Sequence, residues 1–284
     1  MSKRKPAVSG LFYPSSAESL KSKIEECFLH PIGPGSLPKK IRGDRLHPLG
    51  IISPHAGYMY SGPVAAHGYI QLDGRRWPKT VILIGPNHYG IGTEVSVYPE
   101  GTWITPFGPV KIDSELAREL VNYSNIISLD ELSHIREHSI EVQIPFLQYV
   151  LGDFMILPIS MLDQSIETSL ELGRALAELL KNRSDVMLVA STDFSHYEPH
   201  DVAVRKDLAA LEKIKKLDIE AFYKVVEAMD ISMCGYGPVA AVLEAARRME
   251  AKVAELLKYA TSGDVTGDRS SVVGYASLKI ELEK

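Results

Sequence analysis

The chain has 284 residues, 45% hydrophobic and 24% charged, with a formal net charge of −5. Those proportions fit an ordinary globular protein with a packed core, and the interspersed Lys, Arg, Glu and Asp leave no basic footprint for nucleic acid. Two cysteines, Cys27 and Cys234, are too few and too far apart for a disulfide framework.

The opening MSKRKPAVSGLFYP is basic but has no apolar run after it, which argues against a secretory signal. No stretch approaches the ~18 apolar residues of a membrane span, so a cytoplasmic protein without a membrane partner is expected. In chain order, the hydrophobic pattern predicts a helix over 16–29, a strand over 49–53, a helix over 62–72 and strands over 80–85, 94–98 and 110–112. Helices over 114–123 and 140–150 follow, then a strand over 154–160, a helix over 165–181 and a strand over 185–191. Helices over 201–215, 219–228 and 237–249 precede two last strands over 258–262 and 272–279.

VILIG and VMLVAS are apolar on both faces, as strands are when helices cover both sides of a sheet. With the alternation of helices and strands, this predicts an α/β fold of three layers, α/β/α, around a mostly parallel or mixed sheet. The stretch 30–48, with four prolines and three glycines, reads as a surface connection. The ~30 residues before it are too few for a core of their own, so a single domain over 1–284 is expected.

Polar chemistry collects where apolar strands end. GIIS runs into Pro54-His55, VILIG into Pro86-Asn87-His88, and VMLVAS into Thr192-Asp193-Phe194-Ser195-His196. If those strands are parallel neighbours, their carboxyl ends gather these side chains at one edge, where ligands bind in open α/β sheets. Imidazole is both the commonest metal ligand and the usual acid/base group. His138 and Glu141, three apart, would share a helical face and could line the same pocket; a capping role for Glu141 is the structural alternative. Cys234, beside glycines at a helix N-terminus, would feel the positive end of the dipole, which lowers a thiol pKa and suits a ligand or a nucleophile. Cys27 fits a buried structural role on its amphipathic helix. Residues 261–271 read as a hairpin-like loop in which Asp268, Arg269 and Ser270 are weak candidates for pocket contacts.

The motifs PHAGYMYSG, GPNHYG, EHSIEVQIPFLQ, STDFSHYEP, MCGYGPV and SSVVGYAS, with AVSGLFYP near the start, occur in order over about 270 residues, and together they resemble the Memo family. That family is similar to the LigB-type class III extradiol dioxygenases, which hold one Fe(II) with two histidines and a carboxylate. The resemblance implies a LigB-like fold and places metal ligands at His55, His88 and Cys234, with a cysteine where the dioxygenases have glutamate. It implies an acid/base histidine at His138 or His196, with Asp193 able to orient either ring. A thiolate is softer than a carboxylate and would accept iron, copper or zinc. The resemblance also suggests a radical-SAM companion protein as a partner.

Three functions follow as alternatives. The first is an iron-type, metal-dependent redox enzyme acting on a small molecule. The second is a metal-free enzyme with Cys234 as nucleophile, activated by His55 or His88. The third is a peptide- or protein-binding module in which Tyr58, Tyr60, Tyr89, Tyr197 and Tyr236 supply contact area in a former catalytic cleft.

Overall fold

Aliphatic runs form strands whose successive side chains feed two cores on opposite faces of one sheet. The computed structural model describes residues 2–282. In it, Ile82, Ile84, Leu188, Ala190 and Ile52 point to one core. Val81, Leu83, Met187, Val189 and Ile51 point to the other. The first core is roofed by helices Ser114–Leu120, Ile166–Leu180, His200–Lys215, Ile219–Ala228 and Tyr236–Arg248. Helices Ala17–Leu29, Tyr58–Tyr69 and Ile144–Val150 cover the second. The molecule is thus the expected α/β protein, with a large mixed sheet flanked by helices on both faces.

Four strands build the centre. Met155–Met161, Thr80–Pro86, Val186–Ser191 and Gly50–Ser53 lie side by side and parallel, and Val272–Ile280 adds antiparallel to Gly50–Ser53. Ser191 pairs with Ser53 and Ala190 with Ile84, so three carboxyl ends finish level. The loops bearing His55, His88 and Asp193 therefore leave one edge of the sheet from adjacent strands.

The structure corrects several boundaries. The connection 30–48 contains the strand Arg42–Leu46, paired with Arg75–Arg76. The short strand Thr102–Thr105 forms a hairpin with Gly108–Ile112, and Lys3–Arg4 extends the sheet beyond it. Residues 140–150 are not one helix: a 3-10 turn over Glu141–Gln143 precedes the α-helix Ile144–Val150. His138 lies ahead of that turn, so it and Glu141 do not share a helical face. The loop after strand Ala254–Thr261 holds a five-residue helix, Ser262–Thr266, closed by a capping box between Thr261 and Asp264. Asp268 bonds to Ser270 and Arg269 pairs with Asp264, so all three exposed residues serve their own loop and not the pocket. Among the described residues, no helix is long and apolar enough to cross a membrane.

Candidate metal centre

His55 follows its strand after one proline and is 2% exposed. Its backbone N–H donates to Asp193 Oδ1 at 2.8 Å, which ties the loop to the neighbouring strand end. Its ring Nδ1 lies 2.9 Å from Ser191 Oγ, and the neighbours of that hydroxyl settle the tautomer. Ser191 Oγ donates its one proton to the Ser139 carbonyl at 2.6 Å and accepts from Gln143 Nε2 at 2.7 Å. The Gln143 amide is oriented in turn, since Nε2 also donates to the Pro54 carbonyl and Oε1 accepts from Tyr69. Only acceptor capacity remains on Ser191, so His55 carries its proton on Nδ1 and presents the lone pair of Nε2.

Glu137 does the same for His88. Its carboxylate is fully buried and accepts the His88 backbone N–H at 2.7 Å and the His88 Nδ1–H at 2.9 Å. It also accepts the backbone N–H groups of His138 and Ser139 at 2.9 and 2.8 Å. Although burial opposes ionisation, the bonds from His88 and the nearby imidazoles hold its acid well below the usual carboxylate range. The bond to Glu137 occupies Nδ1 and leaves His88 Nε2 without a hydrogen-bond partner among the described residues. The His138 ring stacks on His88 at 4.6 Å between centroids and meets Phe12 at 4.8 Å on its other side.

The three rings converge. His55 lies edge-on to His88 and to His138, with centroids 5.3 and 5.4 Å apart. One ligand atom from each of the three lies within 4.8 Å of the others. Burial holds His55 far below the ordinary histidine range, and burial also holds His138 down, to about 4. Neutral imidazole is the form that binds a metal. Cys234 Sγ stands 3.2 Å from His55 Nε2 and accepts the Asp193 backbone N–H at 3.2 Å.

The expectation of a lowered thiol pKa at Cys234 is reversed. Burial, and after it the Asp193 carboxylate, push the thiol up against the lowering effect of its bonds with the Asp193 backbone and the Thr192 hydroxyl. Asp193 itself is raised to about 6 by burial. His196 lies on the short strand His196–Glu198, its Nδ1 2.7 Å from the Ser232 carbonyl, and its charge would reach His55 and Asp193.

Glu141 is placed elsewhere, which corrects its assignment to the pocket. Its carboxylate is spent on Arg4 at 2.5 Å, the backbone N–H groups of Ala7 and Val8, and the Tyr13 hydroxyl. It pins the N-terminal segment. The groups that sequence reasoning passed over are Glu137, Ser191 and Gln143. Glu137 stood beside His138 in the quoted motif, and only its adjacency to an imidazole hinted at its part. Two cavities of about 370 and 510 Å³ open at the amino ends of the strands, lined in part by Lys79 and Met155 and by His47 and Val186, away from these imidazoles.

Fold and site together define an α/β protein with a cluster of three imidazoles and a thiol at the carboxyl edge of a mixed sheet. A family model described as Memo-like protein matches residues 4–279. MEMO1 family proteins of Methanothermobacter thermautotrophicus and Thermotoga petrophila are each 49% identical over 276 residues, covering 97% of this chain and 99% and 98% of theirs. The chain belongs to the Memo family. A crystal structure of an uncharacterized protein of Escherichia coli K12, JW3007, superposes with a TM-score of 0.57 at 18% identity, covering 81% of this chain and 98% of that one. That likeness concerns the fold alone.

Proposed function

We propose that this protein is a metal-dependent redox enzyme acting on a small molecule, with His55, His88 and Cys234 as ligands to one ion and His138 as the acid/base group. The observation that carries the reading is that two of the rings are each held by a partner at Nδ1. Ser191 and Glu137 each bond to an Nδ1, so that the buried ring of His55 and the more exposed ring of His88 keep their Nε2 atoms free beside a third imidazole and a thiol. Histidines that ligate metals are oriented by partners of this kind. Nitrogen with thiolate suits iron, copper or zinc, and the family resemblance favours iron. When bound, such an ion would supply Lewis acidity and, if iron or copper, one-electron chemistry. The protein's own part is to keep His55 and His138 neutral by burial, to orient the rings of His55 and His88 and to hold His138 between Phe12 and His88.

Metal analysis of anaerobically purified protein tests this, with close to one equivalent expected after reconstitution. Less than about a tenth of an equivalent would sink it, because a site with deprotonated ligands loads readily. A second reading has its own support: His138, and not Cys234, is in the trio of mutually close ligand atoms, so the ion could rest on three imidazoles. Under the first reading Cys234→Ser weakens metal binding about tenfold or more, and His138→Gln leaves it nearly intact. The reverse result assigns the third position to His138. Cys234 as a metal-free nucleophile is disfavoured by its raised thiol, which predicts slow alkylation below pH 7.

A further inference from the structure

Buried tyrosines normally find a partner for the hydroxyl, and here Tyr13, Tyr58, Tyr69, Tyr98 and Tyr149 bond to Glu141, the Val142 carbonyl, Gln143, Ser2 and Glu25. Tyr275 breaks the pattern. It is 2% exposed, yet among the described residues nothing hydrogen-bonds its hydroxyl. Nor is that oxygen sealed in, for it is absent from the fully enclosed polar atoms without partners, such as Trp103 Nε1. A buried ring whose polar end alone reaches open space is aimed at something.

Its surroundings say where. Strand Val272–Ile280 runs antiparallel to Gly50–Ser53 with Leu278 opposite Ile52 and Ile280 opposite Gly50. Continued past Ser53, that register brings Tyr275 level with His55. The ring packs with Val64 of helix Tyr58–Tyr69 and with Ala260, and Ala56, next to His55, lies against the same cluster. The groups whose charge reaches the hydroxyl are Asp193, Tyr60 and Tyr197. Asp193 lies in the loop after its strand, Tyr60 at the start of helix Tyr58–Tyr69 and Tyr197 on the short strand His196–Glu198 that follows the Asp193 loop. Tyr197 is 79% exposed with a left-handed backbone, φ 58°, which is costly for a bulky side chain and recurs at ligand-binding sites.

We propose that Tyr275 is a ligand-binding residue of the imidazole pocket, its hydroxyl donating to an anionic oxygen of a small planar molecule whose body lies against Tyr60 and Tyr197. This rests on the reading of that pocket as the functional site, but not on a bound metal. A hydroxyl without a protein partner is free to satisfy a ligand, and its loss removes no bond within the fold.

Benzoate serves as the probe, titrated by calorimetry into the metal-free and the metal-loaded protein, wild type and Tyr275→Phe. Phe keeps the packing and deletes only the oxygen, so the melting temperature should stay within about 1 °C, while benzoate affinity falls about tenfold or more with loss of a bond to a charged acceptor. Equal affinity in the two proteins overturns the proposal, as does failure of the wild type to bind benzoate in either form. A chain that takes up no metal yet still shows Tyr275-dependent binding would sink the metal reading alone and uphold this one.

Discussion

Ser191 has one hydroxyl and three neighbours that use it. Replacing it with alanine strands His55 Nδ1–H, weakens the bonding of the Ser139 carbonyl and takes the nearest of the three acceptors of the Gln143 amide. Leaving buried groups without partners costs about 1–3 kcal/mol, and loss of an orienting partner lowers metal affinity about 10–100-fold. Chemical denaturation with metal titration of Ser191→Ala should show both effects; unchanged metal affinity would detach Ser191 from the site. At this scale the sequence is readable in part. His55, His88 and Asp193 stand out because each closely follows an apolar strand, and strand ends are where α/β sheets keep their polar groups. Ser191 does not, because serine as the last residue of a strand looks like any turn-former until the facing residues, Ser139 and Gln143, are known. Glu137 was hidden for a similar reason: a glutamate in a polar run reads as surface until its acceptor sites are counted against four N–H groups.

Among the elements, the expected central strands and long helices are present because their patterns run for whole turns or whole strands. The edges were harder to read. Lys3–Arg4 is a strand only because Arg4 is drawn inward to Glu141, to the carbonyls of His134 and Glu137, and over the face of Trp103. No local pattern announces a partner more than 130 residues away. Removing one half of such a buried ion pair leaves the other uncompensated, at about 3–5 kcal/mol. Glu141→Ala should therefore lower stability by that order while folded molecules still bind metal; lost metal binding with stability intact would return Glu141 to the pocket. A second test concerns Gly274, where a β-carbon would stand 1.8 Å from Asp207 Oδ2. That carboxylate is held by Ser195 and Tyr259 and cannot retreat freely. Gly274→Ala should cost about 1–3 kcal/mol by overpacking, measured as a drop in melting temperature, and a neutral outcome would mean that Asp207 is free to move.

For the whole molecule, proton binding links the pocket to stability. His134 and His138 are both held down to about 4, mainly by burial. Between the ordinary value of 6.5 and about 4 the unfolded chain binds more protons at these positions, so stability falls as pH falls through that window. Asp193, raised from 3.8 to about 6, opposes them, since the folded chain keeps its proton there. Glu137, held below its ordinary 4.5, adds a further loss as pH falls below that value. Two rings, joined by His55, outweigh one aspartate. Metal-free protein should thus melt at progressively lower temperature from pH 6.5 to 4, and His138→Asn should flatten the decline; a level profile in the wild type would contradict the burial of these rings. The order in which the chain is made adds a constraint. Ile52, in the strand that carries His55, lies against Ala190 on one side and Leu278 on the other, the second being 278 − 52 = 226 residues further on. Translation at ~5–20 residues per second separates the two by about 11–45 s. Throughout that interval a nascent chain displays GIIS with that side unpaired, an apolar edge and a natural client for a chaperone, even though every candidate metal ligand up to Cys234 has already been made.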